Sequence, residues 1–152
     1  MGLIQIIKGS PLFTELYDEE IDFIVRACQV KVLEKGDTLF QENEAGEELF
    51  IVLSGELCIL KGGVEITRFV KGEILGELVL VNDHQRTTAC VADVHSEVLV
   101  IHNKMVLGMY TKEPRIFAIL MMNIARMLAQ RLKKTTQQLK DLTDQVKKPK
   151  AA

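Results

Sequence analysis

Residues 74–89 read ILGELVLVNDHQRTTA, and in them Glu77 stands among apolar residues with Arg86 nine residues later. Gly76 permits backbone conformations closed to residues with a Cβ, and residues 77–81 can form one helical turn whose first N–H groups are unpaired. An anion could dock on those groups, with the planar fork of Arg86 as a second contact. An ionised Glu77 only accepts hydrogen bonds, so it suits the hydroxyls of an attached sugar. The pattern predicts a site for a phosphorylated sugar.

The same two charges have a plainer interpretation, which is a buried ion pair between Glu77 and Arg86 with no ligand. Such a pair loses several kcal/mol per ion on desolvation, a cost that is easier to understand if a ligand completes the hydrogen bonding. Gly76 and the hydroxyls of Thr87 and Thr88 favour the ligand site. Both interpretations stay open on these residues alone.

The segment resembles a known family motif. Gly76-Glu77-Leu78, the apolar pair Val79-Leu80 and then Arg86-Thr87-Thr88-Ala89 look like the phosphate-binding cassette of cyclic-nucleotide-binding domains. Residues 33–60, LEKGDTLFQENEAGEELFIVLSGELCIL, are similar to the glycine-punctuated strands of that family. Residues 131–139, RLKKTTQQL, resemble the long helix that closes its pocket. The resemblance covers most of the chain.

The resemblance implies that the ligand is a cyclic nucleotide, cAMP or cGMP, and that no other cofactor is needed. Its phosphate would bind Arg86 and the N–H groups near Leu78 and Val79, and its ribose 2′-hydroxyl would bind Glu77.

The resemblance leaves the base open. Thr87 resembles the hydroxyl residue of cGMP-preferring members, whereas Thr135 and Thr136 resemble a pair that contacts adenine, one of them from the partner chain. We favour cAMP.

One residue departs from the family pattern. The residue two after the cassette glutamate is usually small, because its backbone closes on the phosphate, but here it is Val79. Its side chain either crowds the ligand or faces the core.

Length, charge and cysteine content limit the class of protein. The 152 residues fit one domain, and a net charge of −2 gives no basic field for nucleic acid. Cys28, Cys58 and Cys90 lack paired spacing, and the three histidines have no partner at metal-ligand spacing, so we expect free thiols and no metal. No apolar run reaches the ~20 residues that span a bilayer. We expect a soluble, cytoplasmic protein.

The apolar pattern divides the chain into three parts. Residues 10–27 carry apolar side chains at helical intervals, with Ser10 and Pro11 at the start. Residues 29–102 contain short β-branched runs cut by glycines, which indicates an antiparallel β-barrel or jelly roll. Residues 104–146 are helical, with a break before Pro114. We expect a single α+β domain over residues 1–152, with N-terminal helices and a long C-terminal helix around the barrel.

The C-terminal helix carries an apolar stripe at alternating four- and three-residue steps, with one polar member. The stripe consists of Leu128, Leu132, Thr135, Leu139, Leu142 and Val146. This spacing is typical of a coiled-coil seam and predicts a homodimer. The alternative is that the stripe packs on its own barrel, which accounts well for its first turns only.

The residues indicate a receptor without catalysis. No serine–histidine elbow or Gly-rich loop with a following Lys-Ser or Lys-Thr is present, and too few residues follow Val146 for a helix-turn-helix. We expect a regulatory domain that senses cAMP or cGMP, moves its C-terminal helix and does not itself bind DNA. The effector is not identified by the sequence. The alternative is a degenerate domain that binds no nucleotide and serves as a homodimerisation or scaffold module.

Overall fold

The protein consists of two antiparallel sheets packed on a layer of helices, as seen in a computed structural model that describes residues 2–81 and 83–148. The strands are β1 (Gln29–Leu33), β2 (Thr38–Phe40), β3 (Glu48–Ser54), β4 (Glu56–Lys61), β5 (Val64–Val70), β6 (Ile74–Leu75), β7 (Ala89–Ala92) and β8 (Ser96–His102). The helices are α1 (Leu3–Ile7), α2 (Asp18–Arg26), α3 (Asn103–Lys112) and α4 (Pro114–Lys147), with 3-10 turns at Pro11–Phe13 and Glu77–Val81.

The strands form two four-stranded sheets, in the orders β1-β8-β3-β6 and β2-β7-β4-β5. β3 is apolar on both faces because it lies in the middle layer of the protein. Phe50 and Val52 point into the core between the sheets, and Leu49, Ile51 and Leu53 point into the core beneath the helices. The predicted jelly roll with flanking helices is confirmed, except that the ladders between described residues form two separate sheets and not one closed barrel.

The helical layer joins the two ends of the chain. The side chain of Asn123 in α4 is buried, and its amide donates hydrogen bonds of 2.8 Å to the carbonyl oxygens of both Leu12 and Thr14. Arg115, at the start of α4, pairs with Glu20 in α2. The first half of α4 is therefore fixed against the N-terminal turn and α2.

Several details of the helices follow the sequence. α4 begins at Pro114, and the hydroxyl of Ser10 accepts a bond from the Leu12 N–H at the start of the first 3-10 turn. α1 and the two-residue strand β6 have no counterpart in the sequence analysis.

Among the described residues, none of the helices combines the length and the apolar content that crossing a bilayer requires.

The second half of α4 extends beyond the body of the protein. Every described residue from Leu132 onward is exposed, and Leu132, Leu139, Leu142 and Val146 are 67%, 64%, 59% and 86% exposed. Leu128, by contrast, packs against the core. Only the first part of the apolar stripe is thus covered by the chain's own body.

Candidate functional site

The main chain around Arg86 is paired with residues 43–46. The Arg86 N–H donates to the Glu44 carbonyl at 2.8 Å, and the Asn43 N–H donates to the Arg86 carbonyl at 2.7 Å. The Gly46 N–H donates to the His84 carbonyl at 2.8 Å. These bonds fix the position from which the Arg86 side chain enters the protein.

The Arg86 side chain is 6% exposed, and the hydrogen bonding of its guanidinium is incomplete. Nη2 donates to the Glu48 carbonyl at 2.9 Å and lies 3.5 Å from a Glu48 carboxylate oxygen. Cζ lies 4.7 Å and 5.5 Å from the ring centres of Phe40 and Phe50. Nε has no hydrogen-bond partner among the described residues. A buried donor without a partner is rare in proteins, and it often marks strain, function, or a water or ion at that place.

Burial lowers the pKa of the Arg86 guanidinium, and the carboxylates of Glu48 and Glu44 oppose that shift. An arginine keeps its charge in proteins, so this position presents a desolvated cation. An anion would interact with it more strongly than with an exposed arginine, because little water screens the charge.

Two glycines make room for this guanidinium. Gly76 has a φ of +79°, and a Cβ there would lie 2.9 Å from both Arg86 Nη1 and the Glu48 carbonyl oxygen. A Cβ on Gly46 would overlap the guanidinium itself. Both positions need glycine for close approach, and Gly76 also needs it for its backbone conformation.

Glu77 pairs with Arg131 of α4 and not with Arg86. Arg131 Nη1 donates to Glu77 Oε1 at 2.8 Å, and Arg131 Nη2 donates to the Ile74 carbonyl at 2.5 Å. The Arg131 guanidinium also lies 4.5 Å from the centre of the Phe69 ring. The alternative of a direct Glu77–Arg86 ion pair is therefore wrong, since each charge has a different partner.

A cavity of about 230 Å³ lies between these groups. Its polar wall contains Glu77, Arg86, Thr87, Thr88 and Arg131, and its apolar wall contains Phe40, Ile59, Ile66, Phe69, Leu75 and Leu78. A neighbouring groove of about 450 Å³ between β5 and α4 shares Ile66, Thr67, Phe69 and Arg131 with the cavity. The lining of the cavity therefore combines charged and hydroxyl groups with apolar surface.

The predicted site residues divide into three groups. Gly76, Glu77, Leu78, Arg86, Thr87 and Thr88 line the cavity. Thr135 lines the adjoining groove, where its hydroxyl donates to the Arg131 carbonyl at 2.9 Å, and the exposed Thr136 lines neither space. Val79 is 1% exposed and packs in the helix-side core, so its side chain does not crowd the cavity.

The sequence analysis gave no role to Arg131, Gly46 or the β5 residues that line the cavity. Arg131 precedes Thr135 by four residues, which places both side chains on one face of a helix, and that spacing was an available indication. Gly46 gave no such indication, because the reason for it lies in Arg86, far along the chain.

In the described part of the chain, no group of three or more His, Cys, Asp or Glu side chains could hold a metal ion.

Burial raises the pKa of the Cys28 and Cys90 thiols to about 12, so neither is a reactive thiolate at neutral pH.

Comparison with known proteins identifies the family. The model of the family described as "Cyclic nucleotide-binding domain" matches residues 30–113, which include the cassette and most of both sheets. The chain belongs to this family. The expected resemblance is thus confirmed.

Two curated relatives of this cyclic nucleotide-binding domain differ in how much of each protein is matched. The cyclic AMP receptor protein of Thermus thermophilus is 30% identical over 138 residues, which are 88% of this chain and 62% of the relative. The cGMP-dependent protein kinase of Plasmodium berghei is 30% identical over 91 residues, which are 60% of this chain but 11% of the kinase. The chain therefore spans about three-fifths of the first relative and a small part of the second.

A solved structure agrees with this assignment. The Thermus thermophilus catabolite activator protein superimposes with a TM-score of 0.73 at 28% identity, covering 88% of this chain and 63% of that one. The cyclic nucleotide-binding domain described here therefore has the fold of that protein's matching part.

Proposed function

We propose that this domain is a receptor for cAMP or cGMP and that it carries out no reaction of its own. The observation that supports this most is the buried guanidinium of Arg86, whose Nε has no partner among the described residues and which lines the cavity beside Glu77 and Thr87. A cyclic phosphate diester supplies the missing acceptor and the opposite charge.

The phosphate would lie between Arg86 and the 3-10 turn that begins at Glu77. Arg86 donates to one phosphate oxygen and the Leu78 N–H to another. The Val79 N–H already donates to the Gly76 carbonyl, but at 3.3 Å, a long bond that a phosphate oxygen could share. The hydroxyls of Thr87 and Thr88, which follow Arg86 in the chain and line the cavity, are further donors.

The ribose would bind Glu77, whose carboxylate is held in place by Arg131. One carboxylate has about four acceptor positions, so Glu77 can accept from Arg131 and from a 2′-hydroxyl together. Arg131 belongs to α4, and the ligand therefore contacts a pair that joins α4 to the cassette. The position of α4 that allows both contacts is the one the ligand stabilises.

The base would lie in the groove between β5 and α4, near Thr135. Thr136 reaches neither space within one chain, and this fits a role toward the ligand of a second subunit. We propose a homodimer that pairs through Leu132, Leu139, Leu142 and Val146. The four side chains are exposed on the single chain and would bury one another in the pair.

Adenine is the base we favour. The Thermus relative is named for cyclic AMP and matches 88% of this chain, whereas the Plasmodium kinase is named for cGMP and matches 60%. Thr87 nevertheless supplies a hydroxyl within the cavity that could serve guanine.

Isothermal titration of the purified chain with cAMP, cGMP and 5′-AMP tests this function. We expect saturable binding of at least one cyclic nucleotide and weaker binding of 5′-AMP. The phosphate of 5′-AMP is a monoester with a second negative charge, and the proposed site offers it only one arginine and the N–H groups of one 3-10 turn. An Arg86→Met variant serves as the control for the phosphate contact. No heat with either cyclic nucleotide would favour the scaffold alternative.

A further inference from the structure

A groove of about 450 Å³ lies between α2 and α3 and shares no lining residue with the nucleotide cavity. Its surface is mainly apolar, and is formed by Phe23, Ala27, Met105, Gly108 and Met109. Phe23 is 48% exposed, although a phenylalanine is normally buried. The groove thus leaves the Phe23 ring exposed and Met105 partly exposed to a partner, with the buried Met109 beneath them.

No contact or backbone conformation among the described residues requires glycine at position 108. It is the sixth residue of the ten-residue helix α3, where glycine destabilises the helix relative to alanine. A Cβ at Gly108 would meet nothing within 4 Å, whereas Gly46 and Gly76 have neighbours that exclude one. The absence of a side chain keeps the groove open. Because this glycine destabilises the helix without allowing any close contact inside the chain, it points to the close approach of another molecule.

Positive charge lies at both ends of the α3 side of the groove. Lys104 and Lys112 line it and form no ion pair or side-chain hydrogen bond among the described residues. They are eight residues apart, which corresponds to about 12 Å along a helix. Arg26 also lines the groove but pairs with Asp22 at 2.6 Å, and Glu113 is the one acidic lining residue.

We propose that this groove binds an amphipathic helix of another protein that carries two acidic residues about two turns apart on its apolar face. Two turns of such a helix span the distance between Lys104 and Lys112. Apolar side chains between the two acids would cover Phe23 and Met105. The axes would approach most closely at Gly108, because the distance between packed helices depends on the side chains at the contact. The surface adds an effector site to the chain that is separate from the nucleotide cavity, with which it shares no lining residue.

The test uses a synthetic, fluorescently labelled, alanine-based peptide with two glutamates two turns apart and two leucines between them on the same face. A matched peptide carries lysines in place of the glutamates. Fluorescence anisotropy with the full chain should show saturable binding of the glutamate peptide, weakened by added salt, and little binding of the lysine peptide. Equal binding of both peptides, or no saturation by the glutamate peptide, would overturn the proposal.

Two variants separate the groove from nonspecific charge. Gly108→Leu places a side chain where a Cβ meets nothing within 4 Å, and it should weaken glutamate-peptide binding by at least about tenfold. Lys104→Glu combined with Lys112→Glu should lose the glutamate peptide and gain the lysine peptide. Lys35→Glu combined with Lys133→Glu makes the same change in net charge outside the groove and should bind like the parent.

The folding of the variants, the control pair and the oligomeric state also bear on the proposal. Circular dichroism checks that Gly108→Leu is folded, and if it is not, the charge-reversal pair decides by itself. A control pair that weakens binding as much as the groove pair would overturn the proposal. So would a change of sedimentation from dimer to monomer in Gly108→Leu, because the groove would then be occupied by a second copy of this chain.

Discussion

The two walls of the proposed nucleotide cavity differ in how firmly the protein holds them. On the cassette wall, Arg86 is buried between two phenylalanine rings and two glycines, and its main chain is paired with residues 43–46. On the α4 wall, Arg131 makes the last hydrogen bonds from α4 to the body, and among the described residues beyond it only bonds within the helix are found. The cassette wall is thus held by several contacts of buried groups, whereas the α4 wall is held at Arg131, where the exposed half of α4 begins.

The largest expected effect concerns the free half of α4. If a second copy covers it, Leu139→Glu should destabilise the dimer by more than about 4 kcal/mol, since each seam loses a leucine and buries an unpaired charge. Sedimentation velocity should report a dimer for the parent and a monomer for the variant. Lys133→Glu, on the opposite face of α4, should remain dimeric.

A monomeric parent at tens of micromolar would contradict this picture. The distal half of α4 would then lack a partner, and the difference between the walls would have to be explained without a second subunit.

Arg86→Met tests whether Arg86 contributes to ligand binding and not to the stability of the protein. We expect a loss of at least about 2 kcal/mol in cyclic-nucleotide affinity, because a charged contact to phosphate is removed. The unliganded protein should be as stable as the parent or more stable, since methionine replaces a desolvated cation whose hydrogen bonding is incomplete. Titration and thermal unfolding measure the two effects.

Arg68→Met is the matched control for this prediction. Arg68 pairs with Glu56, Glu65 and Asp93 outside the cavity, so its loss should leave the nucleotide affinity unchanged. An equal loss of affinity in both variants would mean that the phosphate does not bind Arg86.

Glu77→Gln acts on the link between the two walls. The variant keeps the shape of the side chain but removes the negative partner of Arg131. It also removes one acceptor of the proposed contact with the ribose. We expect cAMP affinity to fall by about 2 kcal/mol and that of the 2′-deoxy analogue to fall by less than half as much. Titration of both ligands gives the comparison, and equal losses would show that Glu77 does not contact the 2′-hydroxyl.

The smallest effect is expected at Thr135. Thr135→Val keeps the volume, adds an apolar contact to the seam and removes the hydroxyl, so the dimer should persist while cAMP affinity falls by about 1 kcal/mol. Thr143→Val is a close control, because the Thr143 hydroxyl makes the same kind of bond, to the Leu139 carbonyl at 2.8 Å, away from the groove. Equal affinities for the two variants would move base recognition to Thr87.

The sequence predicts what is local and misses what arises from distant contacts. The short β-branched runs cut by glycines gave the positions of the main strands, but β6 has only two residues and forms no run of its own. The spacing from Gly76 to Thr88 gave the cavity residues. The partners of those residues, Glu48 and Arg131, lie 38 and 54 positions away along the chain, and no spacing rule reaches so far.

The amide of Asn123 has a consequence for how this chain can be divided. The span that matches the family model, residues 30–113, ends before Asn123 and begins after the carbonyls that it binds. A fragment cut to those limits would lose α2 and α4 together and expose Leu49, Ile51, Leu99 and Ile101, which now form one face of the core. The core therefore extends beyond the segment by which the family is recognised, because residues from both ends of the chain cover one face of the sheet that contains β3 and β8.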